Sequence, residues 1–140
     1  MKSITKALAY GILASTFVLS CTKAQVRVDV IPYPNQVEVT SAKTDISKVD
    51  RIVYDEALGG EADFLQEELG YGEMELARNG KGGAHAISLK LDESRGGEGY
   101  VMKSGRRSVE IRGSQAGVFY GIQTLLQQIV NDDVRCGEIV

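Results

Sequence analysis

The segment of residues 99–129, GYVMKSGRRSVEIRGSQAGVFYGIQTLLQQI, has the most regular hydrophobic pattern in the chain. Within it, residues 100–103 and 108–112 alternate apolar and polar side chains, which predicts two strands with one buried face each. The residues between them include a glycine and predict a tight turn, because glycine takes a positive φ angle at little steric cost. The first half of the segment therefore predicts two strands joined by a short turn, with Val109 and Ile111 facing inward.

The second half of the same segment predicts a helix. Ser114 is a suitable N-cap, because its hydroxyl can accept a backbone N–H of the first helical turn. Apolar residues then follow at helical spacing and form one stripe: Val118, Ile122, Leu125, Leu126 and Ile129. Gly117 and Gly121 lie on one face of this helix, and each costs about 1 kcal/mol of helix propensity relative to alanine. We therefore expect both glycines to allow close approach to a neighbouring strand or helix.

The remaining chain predicts further strands and a second helix. Alternating or β-branched runs predict strands at residues 26–31, 37–39, 51–54, 74–76 and 86–91. Residues 62–69 predict a short helix that Gly70 can terminate. This order of elements predicts an α+β fold, in which a single sheet of about five to seven strands carries two helices packed on one face.

Composition and charge limit the classes of function. The chain has 140 residues, of which 43% are hydrophobic and 25% are charged, and this is enough for one domain with its own core. A formal net charge of −3 without a basic stripe argues against nucleic-acid binding. The glycine-rich residues 79–83 and 96–99 lack the spacing of a phosphate-binding loop. With one histidine and no paired cysteines, the sequence predicts neither a metal site nor a cofactor.

Two adjacent acid pairs, Asp55–Glu56 and Asp92–Glu93, are the candidates for carboxylate chemistry. Many glycosidases use two carboxylates, one of them as the proton donor. Both pairs follow predicted strands and lie among turn residues, where aspartate is favoured because it makes local hydrogen bonds. We therefore interpret them as solvated turns rather than as catalytic groups.

Residues 1–20 have the pattern of an export signal. Lysines precede an apolar run that is too short for a membrane-spanning helix. Residues 18–21, VLSC, resemble a bacterial lipobox, so we expect lipid attachment at Cys21 and an exported protein, periplasmic or an outer-membrane lipoprotein. In that case the acyl chains are the contact with the membrane. The alternative is cleavage after Ala24 and secretion without a lipid.

Cys136 has no predicted partner. If Cys21 is acylated or removed with the signal, no disulfide within the chain is expected. His85 is the only histidine of the chain, and nothing in the sequence places it near Cys136. The sequence therefore predicts no Cys–His catalytic pair.

Part of the pattern resembles a known family. Residues 99–100, 109–111 and above all 117–127, GVFYGIQTLLQ, resemble the end of the N-terminal domain of bacterial β-N-acetylhexosaminidases, glycoside hydrolase family 20. Residues 31–34, IPYP, are similar to the usual beginning of that domain. The resemblance covers nearly all of residues 21–140 in outline and identifies them as such an accessory domain.

The resemblance implies a domain that supports catalysis without performing it. In this family the N-terminal domain packs against a separate (β/α)8 barrel. There an Asp–Glu pair and the substrate's own acetamido group release terminal β-linked GlcNAc or GalNAc with retention. The family's pair follows a His-x-Gly-Gly motif, which precedes neither Asp55–Glu56 nor Asp92–Glu93. No catalytic residue is therefore assigned, and the implied partner is the chain's own downstream barrel, through which alone it would meet a glycan.

Two alternatives stay open at the level of sequence. Related N-terminal domains also precede the barrels of α-glucuronidases, so the substrate could differ. A free-standing periplasmic binding or interaction module would need no barrel at all. Residues 134–140 end on an apolar pair without a predicted finishing element, which favours an accessory domain whose catalytic barrel follows.

Overall fold

The computed structural model describes residues 28–71 and 74–140. The predicted export signal and the predicted lipid site at Cys21 lie outside these residues. The described residues form the strands β1 (Val37–Asp45), β2 (Arg51–Tyr54), β3 (Glu75–Arg78), β4 (Ala86–Leu91), β5 (Tyr100–Ser104), β6 (Ser108–Gly113) and β7 (Asp133–Ile139), and the helices α1 (Gly59–Leu69) and α2 (Gln115–Gln128). None of the helices in the described part of the chain has the length and hydrophobicity needed to cross a membrane.

The strands form one mixed sheet in the order β1-β7-β5-β6-β4-β2-β3. Neighbouring strands from β3 to β6 pair in parallel, and those from β6 to β1 pair in antiparallel fashion. α1 connects β2 to its parallel neighbour β3, a crossover of the kind that parallel pairing requires. The helices contact each other and the sheet. The predicted α+β sheet with two helices on one face is confirmed.

The segment of residues 99–129 has the predicted structure. β5 and β6 form the expected antiparallel pair, and Val109 and Ile111 are buried in the core. Ser114 caps α2, since its hydroxyl oxygen accepts the N–H of Gly117 at 3.0 Å. Val118, Ile122 and Leu125 of the apolar stripe are also buried. The hydrophobic period therefore predicted both the elements and their inward faces.

Gly117 and Gly121 allow the close approach that the sequence predicted. A Cβ atom at Gly117 would lie 2.1 Å from the carbonyl oxygen of Gly99. A Cβ atom at Gly121 would lie 2.4 Å from Cγ2 of Ile111 and 3.1 Å from Cδ2 of Tyr100. All three distances are shorter than van der Waals contact, so α2 can pack this closely on β5 and β6 only with glycine at these positions.

The predicted strand at residues 26–31 is wrong for the part that the structure describes. Residues 28–31 are not in a strand, although Val28 and Val30 are buried as the alternation suggested. The reason is that a side chain takes the place of a strand partner. The Gln127 side chain accepts the backbone N–H of Ile31 at 2.9 Å and donates to its carbonyl oxygen at 3.2 Å.

The sequence predicted no element near the end of the chain. This is wrong, because residues 133–139 form β7. This strand lies between β1 and β5, inside the sheet. Its buried residues Val134, Cys136 and Ile139 are not evenly spaced by two, so the alternation is broken. The break coincides with Gly137, whose φ is +155° and where a Cβ atom would lie 2.1 Å from the Glu38 carbonyl oxygen.

Candidate functional site

An open groove lined by tyrosine and proline side chains lies where β5 begins. Its cavity volume is about 680 Å³. The aromatic groove, as we call it, is lined by Pro32, Tyr33, Pro34, Tyr100 and Tyr120, and also by Arg95 and Glu98. A concave site with an apolar lining and a few polar groups is the usual form of a binding site.

The floor of the aromatic groove is built by contacts between the loop before β5 and the first turn of α2. Ser114 donates its hydroxyl to the carbonyl oxygen of Gly97, and Gly117 packs against the backbone of Gly99. Further along the helix, the hydroxyl oxygens of Tyr100 and Thr124 are 2.5 Å apart and share a hydrogen bond. These contacts fix the loop to the helix.

The other wall of the groove is the segment that precedes β1. Gln127 holds the backbone of Ile31 through the hydrogen bonds described above. Gln36 and Val140 exchange backbone hydrogen bonds of 2.9 and 3.1 Å. The side chain of Tyr33 nevertheless remains 67% exposed. The backbone of this wall is thus fixed at both ends while its aromatic ring is available for contact.

The groove continues onto an aromatic patch, which we define as the exposed Phe119 and Tyr120 and the half-buried Phe64. The ring centroids of Phe64 and Phe119 are 5.5 Å apart, and those of Phe119 and Tyr120 are 5.8 Å apart in an edge-on arrangement. Phe119 and Tyr120 are 40% and 37% exposed. They follow the buried Val118 by about 100° and 200° around the helix, so they point away from the sheet. Contiguous exposed apolar surface of this kind marks an interaction site.

The polar groups beside the groove are held by one another. The guanidinium of Arg95 lies 3.5 Å from the carboxylate of Asp92, and the hydroxyl of Tyr120 donates to Glu98 at 3.5 Å. The Ser94 hydroxyl and backbone N–H also donate to Asp92, and they hold the pKa of this carboxyl below its ordinary value. This surface can hold an apolar partner inside a polar rim, which is the usual anatomy of an interface.

The predicted acid pairs lie in turns, as the sequence indicated. Asp55 accepts the backbone N–H of Leu91 at 2.8 Å and the ammonium of Lys90 at 3.1 Å. Glu56 pairs with Arg78 at 3.2 Å. Asp55 therefore joins the ends of β2 and β4. Its hydrogen bonds give it a structural role in holding the sheet edge.

Neither Cys136 nor His85 lines the aromatic groove. Cys136 is buried and unpaired, with its sulfur 3.4 Å from the hydroxyl oxygen of Thr44. His85 precedes β4 and donates its backbone N–H to the carbonyl oxygen of Arg107 at 2.7 Å. Among the residues that the structure describes, no group of three or more histidine, cysteine or acidic side chains could hold a metal ion.

The aromatic groove was not predicted from the sequence. Its walls come from residues far apart in the chain, such as Tyr33 and Tyr120, and only the tertiary packing joins them. One signal was present, because Phe119 and Tyr120 are adjacent and lie outside the predicted apolar stripe. Large aromatic residues on the outer face of an amphipathic helix are a sign of a contact surface.

Comparisons with known proteins agree on one family. Residues 27–140 match the family model described as glycosyl hydrolase family 20, domain 2. The chain is similar to the GH20 β-N-acetylhexosaminidase of Streptomyces coelicolor A3(2), with 32% identity and a TM-score of 0.67 over 81% of this chain and 26% of that chain. It is similar to a mutant β-hexosaminidase of Streptomyces plicatus in complex with the product GlcNAc, with 29% identity and a TM-score of 0.67 over 81% and 26% of the two chains.

A more distant structure shows the same fold. The β-N-acetylhexosaminidase of Bacteroides fragilis NCTC 9343 is 23% identical, with a TM-score of 0.67 over 79% of this chain and 24% of that chain. This chain thus spans about a quarter of the length of the solved enzymes that it matches. No curated protein matches the chain.

Proposed function

The chain belongs to glycosyl hydrolase family 20, domain 2, and on that basis we propose that it is the accessory N-terminal domain of an exported exo-β-N-acetylhexosaminidase. As a glycoside hydrolase accessory domain it has the fold of its relatives. In the proposed enzyme, the separate catalytic barrel removes terminal β-linked GlcNAc or GalNAc with help from the substrate's acetamido group. The similar Streptomyces plicatus enzyme holds GlcNAc as its product, which supports this substrate class over an α-glucuronide.

One observation carries the role of this domain within the enzyme. The aromatic patch and the aromatic groove form a continuous exposed surface through Tyr120. We infer that this surface docks on the catalytic barrel. Aromatic side chains are enriched in the buried centre of interfaces, where each contributes a large apolar area. Docking would bury Phe119 and Tyr33, which the domain alone leaves exposed.

The docking proposal is tested in the enzyme encoded by the full reading frame. Replacing Phe119 and Tyr120 by serine removes the centre of the surface without touching the core. We expect the accessory and catalytic domains of this double variant to unfold in separate calorimetric transitions. We also expect the temperature at which the enzyme stops hydrolysing a chromogenic β-GlcNAc substrate to fall by about 2 °C or more, since a loss of about 1–2 kcal/mol shifts the unfolding midpoint by a few degrees.

The matched control for this test is Val130→Ser, which changes an exposed apolar residue outside the surface. It should behave as the parent enzyme does. Identical transitions and identical thermal inactivation of the double variant and the control would refute docking through this surface. Turnover of the chromogenic substrate by residues 1–140 alone would refute the accessory role itself.

Export and anchoring form a separate part of the proposal, and they rest on the sequence of residues 1–21. If Cys21 is acylated, bacteria that express the chain in labelled palmitate should produce a labelled protein in the membrane fraction. Cys21→Ser should remove the label and leave the protein in the precursor form. A mature protein that begins at Gln25 and carries no label would show instead that cleavage follows Ala24 and that the protein is secreted.

A further inference from the structure

A pocket lined mainly by basic side chains lies at the opposite end of β5 from the aromatic groove. β5 begins at Tyr100 in the groove and ends at Ser104, next to the turn that leads to β6. The cavity volume of this basic pocket is about 300 Å³. Its lining residues are Lys43, Asp45, Lys48, His85, Arg106 and Arg107.

The charge of the basic pocket contrasts with that of the chain. Two lysines, two arginines and one aspartate line the pocket, a formal excess of three positive charges in a chain whose formal net charge is −3. Like charges gathered in a concavity repel one another and raise the local concentration of anions. A bound anion would relieve this repulsion.

The two arginines carry the uncompensated part of this charge. Lys43 is paired with Asp133 at 3.1 Å, and Lys48 is paired with Asp45 at 3.0 Å. Hydrogen bonds from Ser47 and Lys48 hold the pKa of Asp45 below its ordinary value, so this carboxylate is already engaged. Within residues 28–71 and 74–140, Arg106 and Arg107 form no ion pair.

The turn that carries the arginines is held in place from both sides. Thr44 on β1 donates its hydroxyl to the carbonyl oxygen of Gly105. His85 donates its backbone N–H to the carbonyl oxygen of Arg107 at 2.7 Å. The turn is closed by the bond from Gly105 N–H to the carbonyl oxygen of Ser108 at 2.8 Å. Because the backbone is already ordered, binding an anion here needs to order only the two guanidinium side chains.

We propose that the basic pocket binds the sulfate or phosphate ester group of a ligand. A guanidinium presents paired N–H donors that match the oxygens of such a group, and these charge-assisted hydrogen bonds are stronger than neutral ones. The volume of about 300 Å³ is about ten times the share of one liquid water molecule, so a tetrahedral oxyanion fits with part of its hydration. An extended polyanion would need a basic stripe, whereas here the cations are gathered around one cavity.

The test begins with inorganic sulfate and inorganic phosphate, titrated into the purified chain at constant ionic strength with chloride as the balancing anion. We expect saturable changes in the amide resonances of His85, Arg106 and Arg107. Replacing both arginines by glutamine should weaken binding about ten-fold or more, because two charge-assisted contacts are lost. Linear changes that never saturate would overturn the proposal.

The matched control removes the same amount of charge at the other end of the sheet. In the double variant Arg78→Gln and Arg112→Gln, the substituted residues lie at the carboxyl ends of β3 and β6, and each is paired with a glutamate. This control should retain the affinity of the parent for sulfate. Equal weakening in both double variants would show that only the net charge matters, and would refute a specific site. Thermal melts of both variants check that each is folded.

Two further binding experiments distinguish the sources of the ester group. Binding of GlcNAc 6-sulfate but not GlcNAc would assign the pocket to a modified glycan. Binding to vesicles that contain phosphatidylglycerol, but not to pure phosphatidylcholine vesicles, would assign it to a lipid headgroup. If inorganic anions bind while neither ester does, the ester proposal is wrong. All these measurements are made on the chain without its proposed barrel, so they do not depend on the hexosaminidase assignment.

Discussion

The α-carbon of Gly117 lies where no side chain can fit. A Cβ atom built there would be 2.1 Å from the carbonyl oxygen and 2.8 Å from the carbonyl carbon of Gly99. Both obstacles are backbone atoms, and they belong to a loop that Ser114 fixes from the other side. Neither partner can move aside as a flexible side chain would. The packing of α2 on the loop before β5 therefore requires glycine at position 117, where a hydrogen atom takes the place of the Cβ of other residues.

We expect Gly117→Ala to lower the free energy of unfolding by about 2 kcal/mol or more, because the forced shift of α2 outweighs the gain in helix propensity. Urea denaturation followed by circular dichroism measures this change. Gly60→Ala in α1 is the matched control, since no atom lies within 4 Å of its added Cβ. The control should raise stability by up to about 1 kcal/mol. Equal effects at the two glycines would contradict the steric argument.

At the scale of the element, the sequence predicted what local periodicity determines. α2 and the β5–β6 pair each have an unbroken apolar pattern and a turn or cap residue at the expected place, so their type and buried face were predicted correctly. Local preference and tertiary burial agree in these elements, which is the condition under which a sequence can be interpreted without a structure.

The elements that the sequence missed are those in which distant contacts override the local pattern. β7 changes its buried face at Gly137, so its residues show no continuous alternation. Residues 28–30 do alternate, yet they form no strand, and the backbone of the next residue, Ile31, is hydrogen-bonded to the Gln127 side chain rather than to a strand. The aromatic groove and the basic pocket were missed for a related reason. Their linings gather residues from several elements, and no pattern in the sequence joins them.

At the scale of the whole molecule, the two candidate binding sites lie at opposite ends of one strand. β5 has the aromatic groove at Tyr100 and the turn of the basic pocket after Ser104. Between them the sheet is continuous, with one core shared by both helices. A catalytic domain docked at the aromatic surface would therefore leave the basic pocket open to solvent. The accessory domain could then contact two partners at once.

Because β7 lies inside this continuous sheet, its packing should control the stability of the whole domain. Ile139 is 1% exposed and pairs with both Val37 and Met102. We expect Ile139→Ala to reduce the free energy of unfolding by about 2–5 kcal/mol, the usual range for truncating a buried isoleucine. The transition should stay single, because one core unfolds as one unit.

Hydrogen exchange shows whether that loss reaches the far side of the sheet. The slowest amides of β4, which is separated from β7 by β5 and β6, should exchange faster in Ile139→Ala by a factor that matches the measured loss, since such amides exchange through global unfolding. Val130→Ala is the control, because this side chain is 63% exposed and its truncation should leave β4 protected. If β4 kept its protection in Ile139→Ala while β1 and β7 lost theirs, the domain would contain two separately unfolding parts. The aromatic groove, whose walls come from both sides of β5, would then form only when those parts are folded together.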